Sequence, residues 1–387
     1  MGALEWIMIE SNEKKCILCE KSLGVPTYLA QGSRRNSKVF LCDVCGLCQT
    51  IQGTDSNIGK KTLSSDADWG NVRHAKGLRL DAQKNNLMNF LKGLPEESTI
   101  LDIGSSRGQF ISWCNHEFPK FSFVGIEPDT TIAKKFEEEN IQIILKRVEE
   151  VYFELKNQFD FIFCNHTLEH LDDFTKTLEL MEKLLKPEGV LWIDVPNLKA
   201  IRDPFVIEEF FIDKHKTHFE IATLENALNE HNLEIKSDFS DNFNIVLVVS
   251  KSHKRVKRTL EHEVTKEDIA RYKNTLVRNR GALPLVARKI ESLPNVAIYG
   301  AGRILDALIR FGNMNVANTV IADRYLVQKA SGLGLTIIDP DTVEWRNFEE
   351  VIVLARSSTS AIADWLKLQG VKKVRGFESL MSEYNLS

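Results

Sequence analysis

No stretch of the 387 residues approaches the eighteen or more consecutive apolar residues of a membrane-spanning helix. The opening MGALEWIMIESNEKK lacks the basic start and the small-residue cleavage site of a secretory signal. Gly2 begins a myristoylation-like pattern, but position six is Trp6 rather than Ser or Thr. Excess positive charge is missing too. With 50 Lys and Arg against 54 Asp and Glu, the net charge of −4 makes no overall case for nucleic acid or anionic membrane. The one basic run, KSHKRVKR at 251–258, lies between two patterned regions and reads as a solvated connector. The expectation is a cytoplasmic protein with a small-molecule partner and no nucleic-acid or membrane partner, its oligomeric state open. A content of 43% hydrophobic and 27% charged residues is that of a globular chain, and the length suits two or three domains.

In that compartment the seven cysteines suggest metal binding or free thiols rather than disulfides. Four of them form two knuckles, CILC at 16–19 and CDVC at 42–45. Each Cys-x-x-Cys turn points two thiolates at one centre, so Cys16, Cys19, Cys42 and Cys45 are a candidate tetrahedral set for structural zinc. A segment this short buries too small a core to hold itself, and a metal would contribute much of its folding energy. The alternative is two reduced thiol pairs. Cys48 adds a further step after Cys45 and is a possible competitor as ligand.

Residues 55–75 are polar with no clear period, and a helical pattern runs from Ala82 to Leu94. Strands and helices then alternate. TILDIG (99–104), FSFVGIE (121–127), IQIIL (141–145), FDFIFCN (159–165) and GVLWIDVP (189–196) read as strands, with helices near 108–117, 130–139 and 173–186. EIKSDF and NIVLVVS (244–250) look like a closing pair of strands. Such alternation predicts a parallel sheet covered by helices on both faces. After a helix over 264–292, a second alternating block has strands at 295–302, 319–324, 335–339, 350–356 and 371–377.

LDIGSSRG ends a strand at Asp102 and turns through Gly104 and Gly108, where a ligand can approach the backbone and a helix N-terminus. Asp102 would repel a pyrophosphate but suits an ammonium or sulfonium. Glu127, ending the next strand in VGIEPD, is placed to accept hydrogen bonds from two free ribose hydroxyls. With FDFIFCNHTLEHLDD and LLKPEGVLWIDVPN, these motifs resemble the class I S-adenosylmethionine-dependent methyltransferases over roughly 98–250. The resemblance implies S-adenosylmethionine as cofactor, held by Asp102, Gly104, Ser105, Gly108, Glu127, Pro128, Asn165 and Leu168. Two departures stand out. Ser106 replaces a middle glycine, and Arg147 stands where the family often has an adenine-contacting acid, leaving that contact to the backbone or Val148.

The whole layout resembles a narrower group, the zinc-containing sugar C-methyltransferases acting on nucleotide-linked keto sugars, and FLCDVCGLCQT looks like their second knuckle. That resemblance implies a zinc module at 1–60, a Rossmann-like methyltransferase domain at 61–252 and a smaller Rossmann-like α/β domain at 253–387. It implies a nucleotide-sugar as acceptor. Methylating carbon needs a base to remove a proton beside the ketone, a task suited to histidine. The family's base block, Tyr-x-Glu-His followed by an aromatic and Phe, falls on FIDKHKTHF, where His215 and Phe219 match. Ile212, Lys214 and His218 replace the tyrosine, glutamate and aromatic. His170, in the LEH turn, is the second catalytic candidate. His166 and His170 have the spacing of a metal pair, but no third ligand accompanies them in the sequence.

In VAIYGAGRILDALIRFG the second block has Gly300 and Gly302 after a strand, Leu305 at the third fingerprint position, and Asp323 at the end of the next strand. Gly302 and Arg303 suit a phosphate of a nucleotide-sugar; a domain that only packs is the alternative. Competing functions are O- or N-methylation of another small molecule, a non-catalytic methyltransferase-fold scaffold, and an oxidoreductase using the second glycine turn.

Overall fold

A computed structural model describes residues 14–52 except 32 and 34, 78–151 except 134, residue 155, and 159–252, 262–326 and 335–384. The N-terminal opening, the polar segment at 55–75 and most of the basic run at 251–258 lie outside the described residues. The chain divides into two compact units. One takes in 1–56, 95–200 and 211–269; the other takes in 57–94, 201–210 and 270–387.

The first unit holds two sheets. β1 (Tyr28–Leu29), β2 (Lys38–Leu41) and β3 (Cys48–Ile51) form an antiparallel meander whose far edge is completed by β9 (Thr217–His218). That last pairing sets Cys48 opposite His218 and Gln49 opposite Thr217, so the segment predicted to carry the base is stitched to the knuckle sheet. The larger sheet has seven strands in the order β10-β11-β8-β7-β4-β5-β6. These are β4 (Thr99–Ile103), β5 (Ser122–Ile126), β6 (Ile141–Ile144), β7 (Phe159–Asn165), β8 (Leu185–Pro196), β10 (Leu233–Asp238) and β11 (Asn244–Lys251). The five strands from β4 to β8 run parallel, and β11 lies antiparallel to both β8 and β10.

The predicted strands form because each is an apolar, β-branched or aromatic run closed by turn residues, and those buried on both faces lack polar alternation. β7 shows this best: FDFIFCN is buried through Cys164. Strand order reverses on either side of β4, which places the switch point, and hence the natural ligand crevice, at the C-terminal end of β4.

α1 (Leu78–Leu91), α2 (Gln109–Glu117) and α3 (Phe174–Leu184) fall on predicted helices. Asp173 caps α3 by accepting the Lys176 amide at 3.2 Å. The helix predicted near 130–139 does not form; its described residues are turns and irregular chain. Three successive glutamates at 137–139 would crowd negative charge at a helix C-terminus, where the dipole disfavours it. α4 (Ile221–Glu230) had not been predicted.

In the second unit β12 (Val296–Tyr299), β13 (Val320–Ala322), β14 (Glu350–Val353) and β15 (Lys373–Gly376) form a parallel sheet in the order β13-β12-β14-β15. The stretch predicted as a strand at 335–339 contributes only a bridge between Ile338 and Ala322. The helices are α5 (Lys266–Glu291), α6 (Arg303–Arg310), α7 (Thr359–Leu368) and α8 (Phe377–Ser382). Asn279 on α5 donates to the carbonyls of Pro204 and Val206, tying 201–210 to this unit. No helix among the described residues is long and apolar enough to cross a membrane.

Phe219 is fully buried, edge-on to Phe174 at 5.0 Å, and its carbonyl accepts the Leu198 amide. Phe219→Ala is therefore expected to lower stability by about 3–5 kcal/mol, the cost of removing a buried phenyl ring, as measured by urea unfolding.

Candidate active site

The glycine loop leaves β4 at Asp102. The Gly104 and Ser105 amides both donate to the Ile126 carbonyl of β5, which fixes the loop across the end of the sheet. Gly104 has φ +81°, and a Cβ there would stand 2.1 Å from Thr167 Oγ1, so only glycine fits. Gly108, φ +65°, precedes the first turn of α2. Ser106 takes a left-handed φ of +48°, an uncommon conformation for a residue with a side chain. Its amide finds a strong partner there, donating to Glu127 Oε2 at 2.9 Å, while the Asp129 amide donates to Glu127 Oε1 at 2.8 Å. Glu127 is thus oriented by two backbone donors, with acceptor capacity left on both oxygens.

Asp102 is nearly as buried as the core around it, and among the described residues no donor or cation pairs with its carboxylate. Burial first, and the neighbouring Glu127 second, push it from the usual 3.8 up to about 8. Ser105 Oγ is also buried without a hydrogen-bond partner. A buried acid lacking a cation and a buried hydroxyl lacking a partner, beside an oriented glutamate, fit a ligand with a cationic amino acid part and a ribose. S-Adenosylmethionine is such a ligand. Of the other predicted contacts, Leu168 is buried in the turn after β7, Asn165 is half-buried with its carbonyl accepting from Thr167, and Pro128 is exposed. Arg147 pairs outward with Asp172 at 3.1 Å, and Val148 beside it is buried.

The catalytic candidates meet at the end of β7. Lys216 N donates to the Glu169 carbonyl, Thr50 N to the Lys216 carbonyl, and the His170 ring Nδ1 lies 3.0 Å from the Lys214 carbonyl. These bonds bring His170 and His215 together, ring centroids 4.9 Å apart. Between them is Glu169, a residue to which the sequence reading gave no role. Its side chain is 1% exposed, and Oε1 faces His166 Nδ1 at 3.3 Å, His170 Nε2 at 3.7 Å and His215 Nε2 at 3.9 Å. Burial alone would raise Glu169, but the surrounding imidazoles outweigh it and hold the carboxyl at about 2. Burial drives His215 well below the ordinary 6.5 despite Glu169, so its ring is neutral at physiological pH. His218, fully buried and bound to Thr50 Oγ1 at 2.7 Å, is pushed down to about 3 by the same cause.

Position 214 carries no glutamate, and the acid beside His215 comes instead from the turn after β7, at Glu169. The adjacency of acid and histidine in TLEHLDD was its only trace in the sequence. Ile103 at the end of β4 lies opposite Cys164 on β7, and Asn165 lies opposite Asp194 on β8, which places the loop pocket and the histidine cluster at one end of the sheet.

At the knuckles, Cys16 and Cys45 have sulfurs 3.5 Å apart, as do Cys19 and Cys42, and all four lie within 4.8 Å of one another. The edge of a zinc–thiolate tetrahedron is about 3.8 Å for bonds of about 2.3 Å, so the set fits that ion. Cys48 is not part of the cluster; it is buried in β3. In the second unit, Asp323 accepts the amides of Ala301, Tyr325 and Leu326, closing the turn after β12.

Residues 75–237 match the family model described as a methyltransferase domain. That stretch carries the glycine loop, Glu127 and the LEH turn, and the match supports a methyltransferase reading of it. Among curated proteins, the chain is similar to a tRNA (guanine-N(7)-)-methyltransferase of Lactobacillus johnsonii, 30% identical over 117 residues, covering 25% of this chain and 52% of that protein. A second, from Lactobacillus gasseri, is 26% identical over 186 residues, covering 42% and 84%. The chain thus spans about half the length of the first of these relatives. Among solved structures, an S-adenosylmethionine-dependent methyltransferase from Clostridium acetobutylicum superposes with a TM-score of 0.34 at 13% identity, covering 48% of this chain and 91% of that one.

Asp102 ties ligand affinity to pH. A cationic ligand needs the carboxylate ionised, so affinity for S-adenosylhomocysteine should rise by up to roughly tenfold per pH unit from pH 6 toward 8. Because the folded value lies above the unfolded 3.8, ionising Asp102 destabilises the ligand-free fold as pH rises between these values. Asp102→Asn should therefore raise the thermal midpoint of the free protein at pH 8 while abolishing the shift produced by S-adenosylhomocysteine. Differential scanning fluorimetry checks both.

Proposed function

We propose that the chain transfers the methyl group of S-adenosylmethionine to a carbon of a nucleotide-linked keto sugar, in the cytoplasm, with His215 as proton acceptor. The observation that carries this reading is the His215 ring, 16% exposed and held neutral by its surroundings, facing Glu169 at the same sheet end as Asp102 and Glu127. Bound in the loop pocket, S-adenosylmethionine would supply an electrophilic methyl on sulfur. His215 would take the proton from the carbon beside the ketone, leaving its electron pair for the new carbon–carbon bond, and Glu169 would stabilise the imidazolium so formed. His170, its Nδ1 held by the Lys214 carbonyl, would orient the acceptor. Support for the sugar comes from the resemblance of the knuckle sequence and of the three-part layout. In the same reading Cys16, Cys19, Cys42 and Cys45 hold a structural zinc, and residues 253–387 form a Rossmann-like domain that holds the nucleotide.

A second reading follows from the curated relatives: methylation of a guanine ring nitrogen in tRNA. That nitrogen already carries a lone pair, so no proton need be removed and His215 would be dispensable. The two are separated by supplying ¹³C-methyl-labelled cofactor with a panel of nucleotide-linked 4-keto sugars or with tRNA, then locating the label by mass spectrometry and NMR. Carbon methylation should fall about 10²–10⁴-fold in His215→Gln with S-adenosylhomocysteine affinity unchanged. Label on tRNA that survives His215→Gln would instead establish the second reading.

Two further outcomes are expected. The acid limb of the rate profile should lie well below pH 6.5, because His215 resists protonation. Zinc analysis should find one equivalent on the knuckles, lost in Cys16→Ser and Cys42→Ser together with a lower thermal midpoint.

A further inference from the structure

Glu169 presents an unusual arrangement for a buried acid. Neither carboxylate oxygen makes a hydrogen bond, although the side chain is 1% exposed. His166 Nδ1 is within reach at 3.3 Å but off the line of a hydrogen bond. The imidazoles beside it favour its ionised form, yet a buried carboxylate whose oxygens accept no hydrogen bond still costs several kcal/mol in round terms.

The ring facing it is already oriented. A carbonyl can only accept, so the 3.0 Å contact with the Lys214 carbonyl puts the neutral His170 proton on Nδ1 and turns the Nε2 lone pair out. That lone pair lies 3.7 Å from Glu169 Oε1, and His215 Nε2 lies 3.9 Å from the same oxygen. The three ligand atoms fall within 4.8 Å of one another. Three electron-pair donors converge on a space with no donor of their own between them, which is the arrangement a cation completes. Backbone-held Nδ1–H is also how metal-binding histidines are commonly fixed.

We infer that Glu169, His170 and His215 form a second metal site, for a divalent ion of the zinc, cobalt or nickel type. Two imidazoles and one carboxylate suit these ions rather than magnesium or calcium. For bonds of about 2.0–2.1 Å a tetrahedron has an edge of about 3.3–3.4 Å; the two contacts of Glu169 Oε1, at 3.7 and 3.9 Å, lie a few tenths of an ångström beyond it, and the two imidazole nitrogens are within 4.8 Å of each other. Three protein ligands leave a fourth position open toward the half-exposed His170 side, where an acceptor oxygen can bind. His218 is excluded, since Thr50 already engages its Nε2. His166 remains outside the set as a neighbour, lying between Glu169 and Asp194, whose Oδ1 is 3.6 Å from its Nε2. In sequence, His166 and His170 had the spacing of a metal pair but no third ligand; in the fold the neighbours of His170 are Glu169 and His215.

The site does not depend on what the acceptor is. It does bear on His215, whose single Nε2 lone pair serves either an ion or a proton.

The test is a titration with Co²⁺ alone of the full chain carrying one equivalent of zinc, the amount the four cysteines hold, followed by visible absorption and metal analysis after desalting. One added equivalent is expected, with weak d–d bands and without the intense thiolate charge-transfer bands of a cysteine site. Glu169→Gln and His170→Ala should each lose that equivalent. His170 is partly exposed, and retained S-adenosylhomocysteine binding by His170→Ala certifies that its fold is intact. No added equivalent in the wild type, or one that survives both substitutions, overturns the site. An occupied site would take the His215 lone pair that the proposed proton transfer uses, while methyl transfer itself is decided separately, by labelled product.

Discussion

Four carboxylates, those of Asp102, Glu127, Glu169 and Asp194, are buried at the C-terminal end of one parallel sheet, and their charge must be answered within a small volume. Each is answered differently. Glu127 takes two backbone amides and becomes a fixed acceptor. Glu169 is ringed by imidazoles. Asp194 lies on the far side of His166. Asp102 has no counter-charge from the described residues, and burial raises it to about 8, a state that a cationic ligand would reverse. The loops are shaped around these needs, from the glycine that passes under Thr167 to the left-handed serine that reaches Glu127.

The knuckle sheet bears on the same problem from the side. Because β9 is its fourth strand, the segment running from Lys214 to Phe219 is held at once by Thr50, by the Glu169 and His170 turn, and by Phe174. A histidine on a free loop would not keep its ring buried against an acid. Here the neutral state of His215 is a consequence of packing, and packing depends on a module whose own four sulfurs lie at metal-binding distance. Chemistry at one end of the sheet is thereby linked to the integrity of a small domain that shares no chemistry with it.

Much of this was legible in the primary structure. The strands of the main sheet announced themselves as short apolar runs closed by turns, and the places of Asp102 and Glu127 at or just beyond strand ends could be read from their offsets. The helix near 130–139 was misjudged because a local period says nothing about whether the sheet has room or need for it. Glu169 escaped notice because an acid beside a histidine in a charged stretch looks the same whether it is solvated or buried. The order of elements likewise hid that residues 78–94 and 201–210 belong to the second compact unit.

By itself, the sequence determined the alternation that makes a parallel sheet, the glycine turn after its central strand, the strand-end acids and the paired cysteine knuckles, because each is set by near neighbours along the chain. Only the tertiary structure decided which histidine meets which acid. Burial and contact between residues distant in sequence set the protonation of Asp102, Glu169 and His215, and a carboxylate becomes a cation's partner or an empty charge only once water has been excluded from around it.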